Sequence, residues 1–128
     1  MLITRFRGSA PWEDLYGYSR VVVAGEWALT AGTTATGSNG VLHPGDAYLQ
    51  TLTAFTIAID ALKAAGATPE QVVRTRMYVT DITRQAEVGR AHQELFGRLR
   101  PVATMVEVAG LADPDHLVEV EVEAYIGS

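Results

Sequence analysis

Three carboxylates, Glu119, Glu121 and Glu123, recur at every second position of the run LVEVEVEAYI, Leu117 to Ile126. A period of two places them on one face of a strand with Leu117 and Tyr125, and places Val118, Val120, Val122, Ala124 and Ile126 on the other. The apolar face must meet a core. Like charges in a row repel unless solvent and specific partners divide them. A carboxylate in a partly apolar cleft has its pKa raised and can serve as a general acid and base, so this strand is the first place to look for proton transfer. The alternative is a solvated or arginine-paired strand carboxylate. A second run, VVRTRMYV (Val72 to Val79), sets Arg74, Arg76 and Tyr78 on one face and Val73, Thr75, Met77 and Val79 on the other.

Other chemistries find little support. The chain has no cysteine, which removes disulfides, thiol nucleophiles and cysteine metal sites. His43, His92 and His116 are not at metal-ligand spacing, and Ser9, Ser19 and Ser38 lack a His/Asp arrangement for a triad. The loop GTTATGSNG (Gly32 to Gly40) is small and hydroxyl-rich, but without a lysine or a phosphate-loop pattern it reads as a turn. Trp12 and Trp27 read as packing residues or pocket walls. A net charge of −5 and scattered cations argue against a nucleic-acid partner. No apolar run reaches the length of a membrane span and no signal peptide is recognisable, so a cytoplasmic location without membrane attachment is expected.

The elements that must position these groups follow from the patterning. The 128 residues, 48% hydrophobic and 20% charged, are expected to form one domain, 1–128. Leu2 to Phe6 suggests a short strand, and Gly8 to Gly17 an irregular segment. Tyr18 to Ala24 and Trp27 to Ala31 read as strands joined by a two-residue turn at Gly25-Glu26. A long helix should start at the cap Asp46, bury Leu52, Phe55, Ile59 and Leu62, and stop at Gly66. A second helix, capped by Thr83, should bury Val88, Ala91, Leu95 and Leu99; Pro101 then opens a further strand. Two helices cover only one face of such a sheet. The other face mixes Arg74, Arg76, Glu119, Glu121 and Tyr125 with apolar residues, which suits a subunit interface with clefts and points to a homo-oligomer.

Read in order, the chain resembles the RidA family, also called YjgF or endoribonuclease L-PSP. The resemblance is carried by Tyr18, the Thr30-Ala31-Gly32 turn, Gln50, the Ala64-Ala65-Gly66 helix end, Val79-Thr80-Asp81, Phe96, Arg100-Pro101, Val106-Glu107-Val108, Leu111 and Leu117-Val118-Glu119-Val120-Glu121. It implies a chorismate-mutase-like α+β fold: a mixed sheet with two helices packed on one face, assembled as a homotrimer with clefts between subunits. It also implies hydrolysis of reactive enamines and imines to carbonyl compounds and ammonia, without a cofactor or metal. In the family an arginine in a Pro-x-Arg motif grips the substrate carboxylate, and a glutamate on the last strand positions or activates water.

The carry-over assigns the catalytic role to Glu119, with Glu121 the alternative if the preceding loop is longer here. It places Tyr18, Ala31, Gly32, Gly89, His92, Ala103 and Met105 along the substrate cleft. Several depart from the family pattern: Ala31 stands for serine, Gly89 for asparagine, Met105 for a cysteine or similarly small residue, and Ala103 for the arginine. Loss of that charged hydrogen bond is worth about two orders of magnitude in affinity or rate toward a carboxylate. His92 occupies a position often aromatic in the family; it is either a proton shuttle or a packing residue. Tyr18 either lines the cleft or is a strand aromatic. The expected function is an imine or enamine deaminase of altered substrate choice. The alternatives are a non-catalytic trimer that binds a small molecule and, less favoured, an endoribonuclease or translation inhibitor.

Overall fold

A computed structural model describes residues 2–127. Six strands form one sheet: Ile3–Phe6 (β1), Val21–Ala24 (β2), Trp27–Thr30 (β3), Val72–Val79 (β6), Val102–Glu107 (β7) and Val118–Tyr125 (β8). The two-residue strands Thr36–Gly37 (β4) and Gly40–Val41 (β5) make a separate small hairpin. The sheet order is β1-β2-β3-β8-β6-β7. All neighbours are antiparallel except β6 and β7. A parallel pair needs a crossover, and the helix Gln85–Phe96 (α3) supplies it. With Ala47–Ala64 (α2) it covers one face of the sheet, the arrangement expected from the patterning.

β8 is the keel of the core. Val118, Val120, Val122 and Ala124 are all 0% exposed, and its glutamates face away from the helices. α2 begins where Asp46 accepts a hydrogen bond from the Leu49 amide at 2.9 Å, and ends before Gly66, whose φ of +96° suits glycine. Its buried stripe differs from the expected one. Phe55, Ile59 and Leu62 are buried, but Leu52 is only half-buried, and Gln50 is buried too, as are the smaller Thr51, Ala54 and Ala58. Small residues there let the helix lie close to the strands.

Other expectations need correction. Pro11–Tyr16 is a short helix (α1) inside the segment expected to be irregular; Pro11 sits in its first turn and Gly17, at φ +79°, closes it. Asp81, not Thr83, does the capping before α3, accepting from the Thr83 amide at 3.0 Å. Leu99 lies beyond the end of α3 and is half-buried. Val73 does not face the core. β6 carries a bulge between Val72 and Arg74, so Val72 is buried and Val73 is exposed.

Two histidines are held by threonines, His116 buried and His92 half-buried. The His92 Nε2 and Thr75 Oγ1 share a hydrogen bond at 2.7 Å, and the ring packs on Phe55 and Phe96. The His116 Nε2 pairs with Thr36 Oγ1 at 3.0 Å, while its Nδ1 is buried without a partner. Burial pushes both pKa values down. The unfolded chain therefore binds protons that the folded chain refuses, and stability is lost as pH falls below the ordinary histidine value of about 6.5. Thermal melts between pH 8 and pH 5 are expected to show a Tm that falls on the acid side; a flat profile through this window would contradict the lowered pKa of the two rings.

Candidate functional site

The uncovered face of the sheet carries the charges in register. One row runs Arg5, Val22, Leu29, Glu123, Arg74 and Val102 across all six strands. Arg76 Nη1 donates to Glu123 at 2.7 Å, and Arg74 lies 3.5 Å from the same carboxylate. The Tyr78 hydroxyl donates to Glu121 at 2.6 Å, which holds the phenol pKa up. Two of the three glutamates are thus partnered. Glu119 is not: among the described residues nothing hydrogen-bonds to its carboxylate.

The surroundings of Glu119 are built by the turn after β3. Thr33 and Val120 exchange two backbone hydrogen bonds, 2.8 and 2.9 Å, outside the regular ladder. That bridge brings Gly32 against the glutamate so closely that a β-carbon on Gly32 would sit 2.7 Å from Glu119 Oε2. A side chain there would displace the carboxylate. Tyr78 stands opposite Glu119 on β6. Burial, and then the charge of Glu121, push the Glu119 pKa above the ordinary carboxylate value, partly offset by Arg20. A carboxyl group of this kind takes up and returns a proton nearer neutral pH than a solvated one.

Arg20, which the sequence reading did not single out, ties the turn together. Its Nη1 donates to the Gly32 carbonyl at 2.8 Å and to Thr33 Oγ1 at 3.0 Å. Its backbone carbonyl accepts from the Ala31 amide, and its guanidinium lies 5.7 Å from the Tyr18 ring centre. Tyr18, Ala31, Gly32 and Glu119 are therefore gathered by one arginine. The available signal was a lone cation opening the apolar run Val21-Val22-Val23. Tyr18 also borders a shallow cleft of about 390 Å³ with Arg5, Arg7, Glu13, Asp14, Gly17 and Ser19.

The remaining predicted residues lie elsewhere. Ala103 pairs with Thr75 and Met105 with Met77, so both belong to the helix side of β7. Gly89 and His92 are on α3, on that same side of the sheet, and His92 is bonded to Thr75. Beside them a cleft of about 240 Å³ is lined by His92, Gln93, Phe96, Gly97, Arg100 and Pro101. Within one chain the predicted site residues thus form two groups on opposite faces of the sheet. Among the described residues no three His, Asp or Glu side chains converge as a metal site requires, and no helix is long and apolar enough to cross a membrane.

Comparison with known proteins adds a family. The family model described as Endoribonuclease L-PSP matches residues 9–126. An uncharacterised protein of Streptomyces coelicolor, SCO2049, is 42% identical over 98% of this chain and 94% of its own length. The RutC family protein PH0854 of Pyrococcus horikoshii is 30% identical over 94% of each chain. The crystal structure of Rv2704 from Mycobacterium tuberculosis, described as a member of the YjgF/YER057c/UK114 family, superposes with a TM-score of 0.88 at 44% identity, covering 98% of this chain and all of that one.

Proposed function

Since the chain belongs to the endoribonuclease L-PSP family, we propose that it hydrolyses reactive imines or enamines in clefts between the subunits of a homotrimer. The observation that carries this reading is Glu119: a half-buried carboxylate without a hydrogen-bond partner among the described residues, seated against the Gly32 backbone. In the reaction Glu119 takes a proton from water as the water oxygen bonds to the imine carbon. It returns that proton to the nitrogen. The resulting carbinolamine gives its hydroxyl proton to Glu119, which passes it to the amine nitrogen; the C–N bond breaks as the C=O bond forms, and the carbonyl compound and ammonia leave. Enamines enter after protonation at carbon. Assembly gives the two groups of site residues a reason to exist on opposite faces: the α3 and β7 edge of one copy meets the uncovered face of the next.

Ala103 sets the substrate class. Without a guanidinium at this position the cleft lacks its carboxylate grip, and an uncharged or larger imine is the better substrate. Ammonia release from 2-aminoacrylate and from a panel of uncharged imines tests this. The wild type should favour the uncharged imines. Ala103→Arg should raise kcat/KM for 2-aminoacrylate by about tenfold to a hundredfold. A wild type already as fast on 2-aminoacrylate would overturn the substrate assignment. Binding of the imines without ammonia release would favour the second reading, a ligand-binding trimer without the chemistry, which the substitution at Ala103 also supports. A nuclease reading gains nothing from a chain of net charge −5.

A further inference from the structure

We propose that Glu13 and Arg20 are positioning residues for Glu119: together they form a strut that fixes the Gly32 turn on which the glutamate rests. The inference deepens the reading of Glu119 as the acid–base group and rests on it for its functional meaning, but its geometry stands apart. Glu13 is an acid on the six-residue helix α1 and is only 3% exposed. Its Oε1 accepts the Gly8 amide at 2.8 Å. Its Oε2 is buried without a hydrogen bond and faces Arg20 Nε at 3.6 Å. From the other end of the same guanidinium, Nη1 reaches the Gly32 carbonyl and Thr33 Oγ1. The chain of contacts therefore runs from Gly8 through Glu13, Arg20 and Gly32 to Glu119. Its first link is tight: a β-carbon on Gly8 would lie 2.6 Å from Glu13 Oε2.

Stability alone does not explain such a pair. Taking a glutamate and an arginine out of water costs about as much as their attraction returns, and apolar replacements of similar size often serve as well or better. What the pair supplies is direction. The carboxylate holds the guanidinium plane, and the plane aims two donors at one turn. Arg20 also lies over Tyr18, so a ligand pressing on Tyr18 meets the same guanidinium that holds Gly32. The charged and titratable groups around Glu119 are few: Glu121 on its own strand, Tyr78 on β6, and Arg20 behind the turn.

The test reads the carboxylate directly in the protein without substrate. Carboxyl carbon NMR of labelled glutamate follows the titration of Glu119, assigned by its absence in Glu119→Gln. Amide exchange at Thr33 and Val120 follows the bridge beside it. Arg20→Gln is expected to move the Glu119 midpoint upward, because a cation is lost, and to speed exchange at both amides about tenfold. Arg20→Lys keeps the charge without the planar pair of donors: the midpoint should stay near wild type while exchange still accelerates. Glu13→Gln should accelerate exchange in the same direction. Folded Arg20 variants with the wild-type midpoint and wild-type exchange would overturn the proposal. If Arg20→Gln does not fold, Arg20→Lys decides alone through its exchange rates. Neither readout depends on ammonia release, so failure of imine hydrolysis and failure of the strut are separate results.

Discussion

Glu119→Gln is expected to lower kcat for imine hydrolysis by about 10²- to 10⁴-fold, the range typical of a lost general acid–base group, without lowering Tm. The substitution keeps the shape and removes the proton exchange. Its effect on stability has a definite sign. The folded-state pKa of Glu119 is raised, chiefly by burial. The folded chain thus favours the protonated form, and the stability this gives is complete below the ordinary carboxylate value and is lost as pH rises through the folded one. Wherever it is ionised the side chain is a burden on the fold, and a neutral amide relieves it. Activity and melting should therefore move independently. A variant that loses activity and Tm together would show Glu119 to be a structural group. Glu121→Gln and Glu123→Gln are the controls: these carboxylates already serve Tyr78 and the two arginines, and their loss should leave the chemical step within a few-fold of wild type.

Phe55→Ala should cost about 3–5 kcal/mol of stability and lower Tm by about 10–20 °C. Phe55 is fully buried at the middle of α2. Its ring meets Phe96 edge-on at 5.1 Å between centres and His92 at 5.6 Å, and Phe96 and His92 lie 4.9 Å apart. Truncation leaves a void between two helices and the sheet, and close-packed neighbours relax only partly into it. Phe55→Leu should recover more than half of the loss. Because His92 shares the cluster and borders the cleft beside α3, the alanine variant should also loosen that cleft. Calorimetry of the two variants at pH 7 measures the cost; equal melting temperatures would mean that the cluster contributes no packing energy.

Legibility differed from one element to the next, for physical reasons. The alternation of β8 could be read residue by residue because a strand with one buried face has a rigid two-residue code. The ends of α2 were equally plain in Asp46 and Gly66. Its buried face was less so. Gln50 looks like a surface residue, yet it is 0% exposed. Its amide donates to the Asp115 and His43 carbonyls at 2.9 and 3.3 Å and accepts from the Leu117 amide at 2.8 Å, pinning the loop before β8. Such a role depends on loops distant in sequence and leaves no periodic trace. Helix α1 escaped notice because six residues are too few to show a period, and what anchors it is the single buried side chain Glu13. At the site, Glu119 and Gly32 could be named from the sequence, but not the arginine behind the turn that brings them together. That Glu119 and Ala103 lie on opposite faces follows only from strand register, which composition and spacing do not encode.

The extra residue in β6 has a consequence for how this chain can change length. Losing or gaining one residue in a paired strand normally turns every later side chain to the other side, here sending Arg74, Arg76 and Tyr78 into the apolar interior. Val73 escapes that rule. It is the surplus residue of the bulge, with Val72 facing inward before it and Arg74 outward after it. Excising it would splice Val72 directly to Arg74 and leave an unbroken alternation. Val73 is thus a point in β6 at which the chain can be shortened by one residue and still present the same side chains inward and outward.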